Sequence, residues 1–180
     1  GYALPHPHSV GFGKQVEDPD DLREAVSTYV TRSAEKLRQQ HCVAGHMMVF
    51  LSTNRFKEGP QYNNSLSTTL FPPTAFTPDL IRTALNLLDE LYLPGFEYKK
   101  AGVMLADIIH ENDVALSVMD VNYLDDHRSN LMKAVDRINK MYGRDTVSYA
   151  SCGIKQEWQM KRARLSPHYT TSWKDLPRVK

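Results

Sequence analysis

The side chains that most often carry out catalysis are spaced unfavourably along this chain. Phosphoryl transfer with two Mg²⁺ ions needs carboxylates held close together beside a nucleotide pocket. The acidic residues here fall at helix N-termini, at exposed helix positions, or in one acidic stretch between Leu105 and Asp126. We therefore predict neither a catalytic site nor a metal site in this chain.

Histidines, glycines and cysteines lead to the same expectation. The seven histidines never take the i, i+4 spacing of a helical metal site with an acid between them. Gly11-Phe12-Gly13 lacks the third glycine of a dinucleotide-binding loop, so no cofactor is predicted. Cys42 and Cys152 each stand alone, which argues against a zinc knuckle or a disulfide scaffold and indicates a reducing cytoplasm.

Composition and charge suggest a soluble piece of a larger protein. The chain has 180 residues, starts at Gly1 and is 41% hydrophobic, enough for one core and an appendage. It has no apolar run near the roughly 18 residues that span a membrane. The net charge of +1 hides an asymmetry: charged residues from Leu105 to Asp126 are all acidic, whereas residues 155–180 are mostly basic. The basic end is either a solvated tail or a contact for a polyanion.

Periodicity predicts the element order β-α-β-β-α-β over the first hundred or so residues. Asp18 and Thr77 are the expected N-caps of two helices, each followed by proline and an apolar stripe. The expected strands are Ser9–Val16, Val43–Ser52, Ser65–Leu70 and Tyr98–Ile109. This order predicts an α+β fold, a ferredoxin-like antiparallel sheet with both helices on one face and the other face open.

The remainder of the chain is expected to form a linker, a third helix and a small basic tail. Residues 111–126 show no helical period and are predicted as an exposed acidic connection. Asp126 or Ser129 is the expected cap of the third helix, which should end at Gly143. The segment after that helix has no clean period.

The open sheet face is the candidate binding surface. Small polar residues and accessible backbone amides can contact phosphates without reading bases, and nearby cations can add charge. An ordinary solvated strand face and protein surface would look the same, and that alternative stays open. The candidates by residue type are Ser9, Gly13, Ser65, Ser67, Thr69, Lys14, Arg55, Lys57, Lys99 and Lys100.

Three segments resemble one protein family. They are Lys100–Leu105, Ala34–Arg38 and, most specifically, the block from Trp158 to Thr171. Together they resemble the C-terminal part of UmuC-type Y-family translesion DNA polymerases, and the resemblance runs from about Ser9 to Lys180. In that family catalysis belongs to an upstream palm domain. The resemblance therefore implies a non-catalytic part of a DNA polymerase, acting in SOS mutagenesis in the bacterial cytoplasm.

The resemblance also implies a domain organisation and a DNA-binding set. Residues 1–8 would be a linker, 9–110 the little finger domain that grips template-primer DNA, 111–126 the connection, and 127–180 the C-terminal helix and tail. The implied DNA-binding residues are Ser9, Gly13, Lys14, Thr53, Arg55, Ser65, Ser67, Thr69, Lys99 and Lys100.

Protein partners implied by the family would bind after the little finger. A peptide that docks on the sliding clamp matches residues 115–120, where Leu116, Val118 and Met119 would fill apolar pockets although Ala115 replaces the usual glutamine. A strand end packed on the domain is the alternative. The family also associates with cleaved UmuD and with RecA. Tail residues Lys161, Arg162 and Arg164 are candidate contacts for RecA or single-stranded DNA.

Two other classes of function stay in view. The chain can be mainly a protein-interaction module with little DNA affinity of its own. A ferredoxin-like fold also suggests small-molecule or RNA binding by analogy alone. Paired aromatic residues on the central strands, which RNA-recognition sheets use, are not expected from this sequence.

Overall fold

The structure is a computed structural model that describes residues 8–114 and 122–153, with the backbone alone for 8–15 and 122–125. Its main elements follow the predicted order. The strands are β1 (His8–Val16), β2 (Cys42–Thr53), β3 (Asn63–Thr74) and β4 (Tyr98–His110), and the helices are α1 (Pro19–Gln39), α2 (Thr77–Leu91) and α3 (Asn122–Tyr142).

The four strands form one antiparallel sheet in the order β1-β4-β2-β3. The α+β fold class and the β-α-β-β-α-β order are confirmed. The central strands are β4 and β2, whereas the first and third strands are central in the usual ferredoxin-like sandwich. Each helix still crosses over one intervening strand, so the fold consists of two interleaved split β-α-β units.

Both predicted core helices pack on the same face of the sheet. Alternation places Met47, Val49 and Leu51 of β2 toward the helices, and all three are fully buried. Val103 of β4 lies opposite Val49 and joins the same core. The helical side of that core consists chiefly of Leu22, Val26, Val30 and Leu37 from α1 and Leu80, Ala84, Leu88 and Leu91 from α2.

The caps of the first two helices differ. Asp18 caps α1 as predicted, because its carboxylate accepts a hydrogen bond from the Asp20 amide at 2.8 Å. The prediction for Thr77 is wrong, since Thr77 is the first residue of α2 and the N-cap Phe76 makes no side-chain cap. The Thr77 hydroxyl is fully buried and instead accepts a hydrogen bond from Arg38 at 2.8 Å.

Helix α3 is attached to the other two helices by a few side-chain contacts. Arg38 of α1 donates through two nitrogens to the Asp136 carboxylate, at 2.7 and 2.8 Å. Arg128 pairs with Asp79 of α2 at 2.6 Å, and Met132 between these two ion pairs is only 3% exposed. The helix thus docks through ion pairs around one buried side chain.

The start of α3 corrects two predictions. The helix begins at Asn122, so residues 122–126 are helical rather than part of the acidic connection, and neither Asp126 nor Ser129 is its cap. Acidic residues near a helix N-terminus are stabilised by the helix dipole, which explains why an acidic segment without an apolar period becomes helical. Gly143 follows the helix with a φ of 109°, as expected of a glycine that ends a helix.

The chain then returns to α1. Arg32 makes a two-point ion pair with Asp145, at 2.7 and 2.9 Å. A short 3₁₀ turn at Ala150–Cys152 follows, and the Cys152 sulfur lies 3.5 Å from the Thr31 hydroxyl. The described residues after α3 therefore pack against the helix layer, on the side of the molecule away from the open sheet face.

Candidate nucleic-acid interface

The open face of the sheet is built from rows of side chains that run across the strands. One row joins Ser65 of β3, Phe50 of β2 and Gly102 of β4, and the backbone of Ser9 in β1 extends it. The next row joins Ser67, Met48 and Met104. The hydrogen-bond register therefore fixes which groups a ligand on this face would meet together.

Three of the predicted hydroxyl groups lie along one edge of this face. Ser65, Ser67 and Thr69 of β3 are all exposed, and they alternate with inward-facing Leu66 and Thr68. Strand β3 pairs only with β2, so these residues occupy a sheet edge. The structure brings the three hydroxyls together, and their role in DNA binding stays a prediction.

The centre of the face is apolar, which sequence reasoning missed. Met48 and Phe50 of β2 and Met104 of β4 are half-buried on the side opposite the helices. A signal existed, because Met47 to Leu51 is a continuous apolar run, typical of a strand covered on both faces. The face therefore combines an apolar centre with a polar edge.

Phe50 bears on the RNA-binding alternative. It lies on a central strand and faces away from the helices, but its neighbour on β4 is Gly102, which has no side chain. The aromatic residue of β4, Tyr98, is fully buried in the core. On the central strands, the open face therefore carries a single aromatic side chain rather than a pair.

Positive charge gathers at one end of this face. Lys100 is exposed and lies opposite Ser52 of β2 and Gly11 of β1, while Lys99 is half-buried beside it. Gly13 and Lys14 belong to β1, in the stretch between Gly11 and Val16 where the pairing with β4 shifts register. These cations lie at the same end as the loop between β2 and β3.

That loop carries Arg55 and is closed by Thr53. The Thr53 hydroxyl donates to Gln61 Oε1 at 2.9 Å and accepts from the Tyr62 amide at 3.0 Å. The hydroxyl of Thr53, a residue predicted to contact DNA, thus forms hydrogen bonds within the loop. Arg55 is exposed, and its guanidinium carbon lies 4.7 Å from the centre of the Phe56 ring.

An aromatic cluster lies where the loop meets β3, at Tyr62, and where β4 begins, at Tyr98. Tyr98 packs against Tyr62, Tyr92 and Phe96, with ring centroids 5.9 to 6.3 Å apart. Its hydroxyl donates to the Leu93 carbonyl at 2.7 Å and accepts from the Leu93 amide at 3.0 Å. Burial raises the pKa of the Tyr98 hydroxyl above its ordinary value, so this group stays neutral well into the alkaline range.

Several predicted residues lie outside the described part of the chain. They are the clamp-binding candidates Leu116, Val118 and Met119 and the tail candidates Lys161, Arg162 and Arg164. Across residues 8–114 and 122–153, no three histidine, cysteine, aspartate or glutamate side chains group closely enough to hold a metal ion. No helix in those ranges is long and apolar enough to cross a membrane.

The fold and its open face define a small α+β domain with an attached helical layer. A family model described as the impB/mucB/samB family C-terminal domain matches residues 8–118. This chain belongs to that family. A second model, a domain of unknown function (DUF4113), matches residues 129–179 and so includes most of α3.

Relatives agree with this assignment. Protein UmuC of Salmonella typhimurium is 39% identical over 96% of this chain and 41% of its own length. Protein SamB of Salmonella typhimurium is 38% identical over the same shares, and Protein MucB of Escherichia coli is 32% identical over 94% of this chain and 40% of its own length. The chain spans about two fifths of these curated relatives. The predicted resemblance to UmuC-type C-terminal regions is confirmed.

A solved structure titled "Insertion ternary complex of Dbh DNA polymerase" is also similar. The match has a TM-score of 0.49 and 15% sequence identity, and it covers 59% of this chain and 29% of that one.

Proposed function

We propose that this chain is the non-catalytic, DNA-gripping part of a translesion DNA polymerase of the UmuC type, acting in SOS mutagenesis in the bacterial cytoplasm. In this proposal the open sheet face lies along template-primer DNA and contacts its phosphates without reading bases. The full-length parent would be a DNA-directed DNA polymerase, with its catalytic carboxylates outside this chain and no cofactor bound within it.

One observation carries the proposal. The exposed hydroxyls of Ser65, Ser67 and Thr69 lie on the same face as Lys100, which the described helices leave open, in a chain of the impB/mucB/samB family. Hydroxyls and backbone amides position a protein on phosphates, while lysines supply attraction that does not depend on sequence. The half-buried apolar centre supports the same use, because it also favours a covered face.

The charge at the end of the open face next to the β2–β3 loop also favours binding of a polyanion. Arg55, Lys57, Lys99 and Lys100 gather there against Glu58 and Glu97, and Lys57 is paired with Glu97. A net positive end beside a face of small hydroxyls fits a phosphate backbone. On the helix side, α3 is instead joined to α1 and α2 by ion pairs.

The proposal is tested by fluorescence-anisotropy titration with a labelled primer-template duplex at several salt concentrations. The test variant is Lys99→Gln/Lys100→Gln. The matched control is Lys133→Gln/Lys140→Gln, which removes two exposed lysines of α3 and so leaves the same net charge. The first variant should weaken binding and lower the slope of log affinity against log salt by about 1 for each lysine that meets a phosphate.

The two variants distinguish DNA contacts on the sheet face from attraction by net charge alone. Equal losses in the two variants would mean that net charge alone attracts DNA and that the sheet face is not the grip. Retained binding in both would place the contacts elsewhere on the chain. If the unaltered chain bound no DNA at any salt concentration, protein recruitment would become the leading function.

That second candidate function has an observation of its own. On α3, Leu131, Met141 and Tyr142 are large apolar side chains exposed to solvent, by 52%, 67% and 73%. Exposed apolar residues that form a contiguous patch are used in protein-protein contacts. The sliding clamp, cleaved UmuD and RecA are the partners proposed by family resemblance. Loss of partner binding on changing these side chains, with DNA binding retained, would support this role.

A further inference from the structure

The loop between β2 and β3 holds an aromatic ring out in solvent. Phe56 is 83% exposed, yet the backbone on both sides of it is fixed. Asn54 Oδ1 accepts from the Phe56 amide at 3.0 Å, and Gln61 Nε2 donates to the carbonyls of Asn54 and Lys57 at 3.1 and 2.8 Å. The loop thus displays the ring in a set position, although burying it would be favourable.

A cation covers one side of this ring. The Arg55 guanidinium lies 4.7 Å from the ring centre, within the range of a cation-π contact. Among the residues that the structure describes, no carboxylate forms an ion pair with Arg55, whereas neighbouring Lys57 is paired with Glu97. The 83% exposure of Phe56 leaves the rest of its surface accessible to a second flat group.

The surroundings of the ring favour a nucleobase over a protein. The loop neighbours Asn54, Glu58, Gly59 and Gln61 are polar or lack a side chain. Apart from Pro60, Phe56 is the only apolar residue between Asn54 and Gln61. A single ring buries too little surface for a stable protein interface. A base needs only one face to stack on, and a cation beside the ring suits its adjoining phosphate.

We propose that Phe56 is a stacking platform for an unpaired base of single-stranded DNA next to the gripped duplex, with Arg55 supporting the ring and neutralising an adjacent phosphate. The inference rests on the proposed DNA-binding function and adds a single-strand site to it. The base must be unpaired, because a base inside a duplex is already stacked on both faces.

The test uses primer-template DNA with 2-aminopurine at successive positions of the unpaired template overhang, compared with a blunt duplex of the same length. Binding of the unaltered chain should change the fluorescence at one overhang position. Phe56→Ala should abolish that change and weaken overhang binding about five- to twentyfold. It should leave blunt-duplex affinity unchanged.

Two variants and a matched control define the chemistry. Phe56→Tyr should retain the signal because it keeps an aromatic ring, whereas Phe56→Leu should lose it although it keeps an apolar side chain. Phe71→Ala is the control, since Phe71 is also 83% exposed but lies in β3, near the far end of the sheet from the loop. It should leave the fluorescence change intact. Circular dichroism checks that each variant is folded.

Three results would overturn the inference. An unchanged signal in Phe56→Ala or Phe56→Leu would show that the ring does not stack on a base. An equal loss of overhang and blunt-duplex binding in Phe56→Ala would show that the ring contacts the duplex. Absence of any DNA binding by the unaltered chain would remove the proposed function as well, whereas the first two results would leave that function standing.

Discussion

The two faces of the sheet differ in how far their side chains are buried. On the helix side, Met47, Val49 and Leu51 of β2 are fully buried, and α3 is attached to α1 and α2. On the open side, Met48 and Phe50 of the same strand are only half-buried among exposed hydroxyls. Alternate residues of β2 are therefore fully buried on one face of the sheet and half-buried on the other.

The two sides also differ in their internal contacts. Helix α3 is joined to α1 and α2 mainly by ion pairs, Arg38 with Asp136 and Arg128 with Asp79, around the buried side chain of Met132. Such a junction can be weakened without opening the apolar core beneath it. The open face, in contrast, has Ser65, Ser67 and Thr69 exposed to solvent. Stability changes on the helix side and binding changes on the sheet side should therefore be separable.

The largest expected effect follows from removing the anchor of α3. Arg38→Ala removes both bonds to Asp136 and the bonds to the Ala75 carbonyl and the Thr77 hydroxyl, and it leaves a partly buried carboxylate without its partner. We expect the free energy of unfolding to fall by about 2–4 kcal/mol. Urea unfolding followed by circular dichroism measures this change, and DNA affinity at low urea should stay the same.

The control for that prediction is Arg23→Ala. Arg23 pairs with Asp89 in an ion pair whose two side chains are largely exposed, so its removal should cost less than about 1 kcal/mol. If the two variants lost equal stability, the junction between α3 and the helix layer would be no more than a surface ion pair. A loss of DNA affinity in the folded Arg38 variant would contradict the separation of the two sides.

A smaller effect should follow from removing the buried Met132 side chain of α3. Met132 is 3% exposed, whereas Met141 on the same helix is 67% exposed. We expect Met132→Ala to lower the free energy of unfolding by about 2 kcal/mol through lost burial and a cavity. Met141→Ala should stay within about 0.5 kcal/mol of the unaltered chain. Similar values for the two variants in urea unfolding would mean that α3 does not pack through this face.

The sequence predicted the elements better than their ends. The cap at Asp18, the following Pro19 and the apolar stripe identify α1 from local signals alone. Strand β3, predicted to end at Leu70, continues to Thr74 through Pro72 and Pro73. Proline usually ends a strand in the middle of a sheet, but β3 lies at an edge, where the missing amide hydrogen is tolerated. Sheet order cannot be read from local pattern, so this exception was not foreseeable.

The candidate site was only partly predictable for a related reason. Ser65, Ser67 and Thr69 show a clear two-residue alternation, and the structure places them together on the open face. Phe50 was missed because the apolar run around it hides which residues face outward. The pair Arg38 and Asp136 is 98 residues apart in the chain, and no local spacing signals such a contact. Long-range packing decides these features.

The smallest expected effect is a change in the pH dependence of stability, caused by Tyr98 at the end of the sheet next to the β2–β3 loop. Tyr98 is fully buried, and burial raises the pKa of its hydroxyl above the ordinary value near 10. Below pH 10 the Tyr98 hydroxyl keeps its proton in both the folded and the unfolded chain, so the contribution of Tyr98 to stability is fully present. As the pH rises past that value, the unfolded chain loses the proton first and the stabilisation is lost, by at most about 1.4 kcal/mol per pH unit.

Tyr98→Phe separates this group from the other tyrosines and the lysines. At pH 8 the variant should be about 1 kcal/mol less stable, because the Leu93 amide and carbonyl lose their hydrogen-bond partner. Between pH 10 and 11.5 its stability should fall less steeply than that of the unaltered chain in urea unfolding. Equal slopes would mean that Tyr98 ionises as freely in the folded chain as in the unfolded one. The aromatic cluster around Tyr98 would then be open to water.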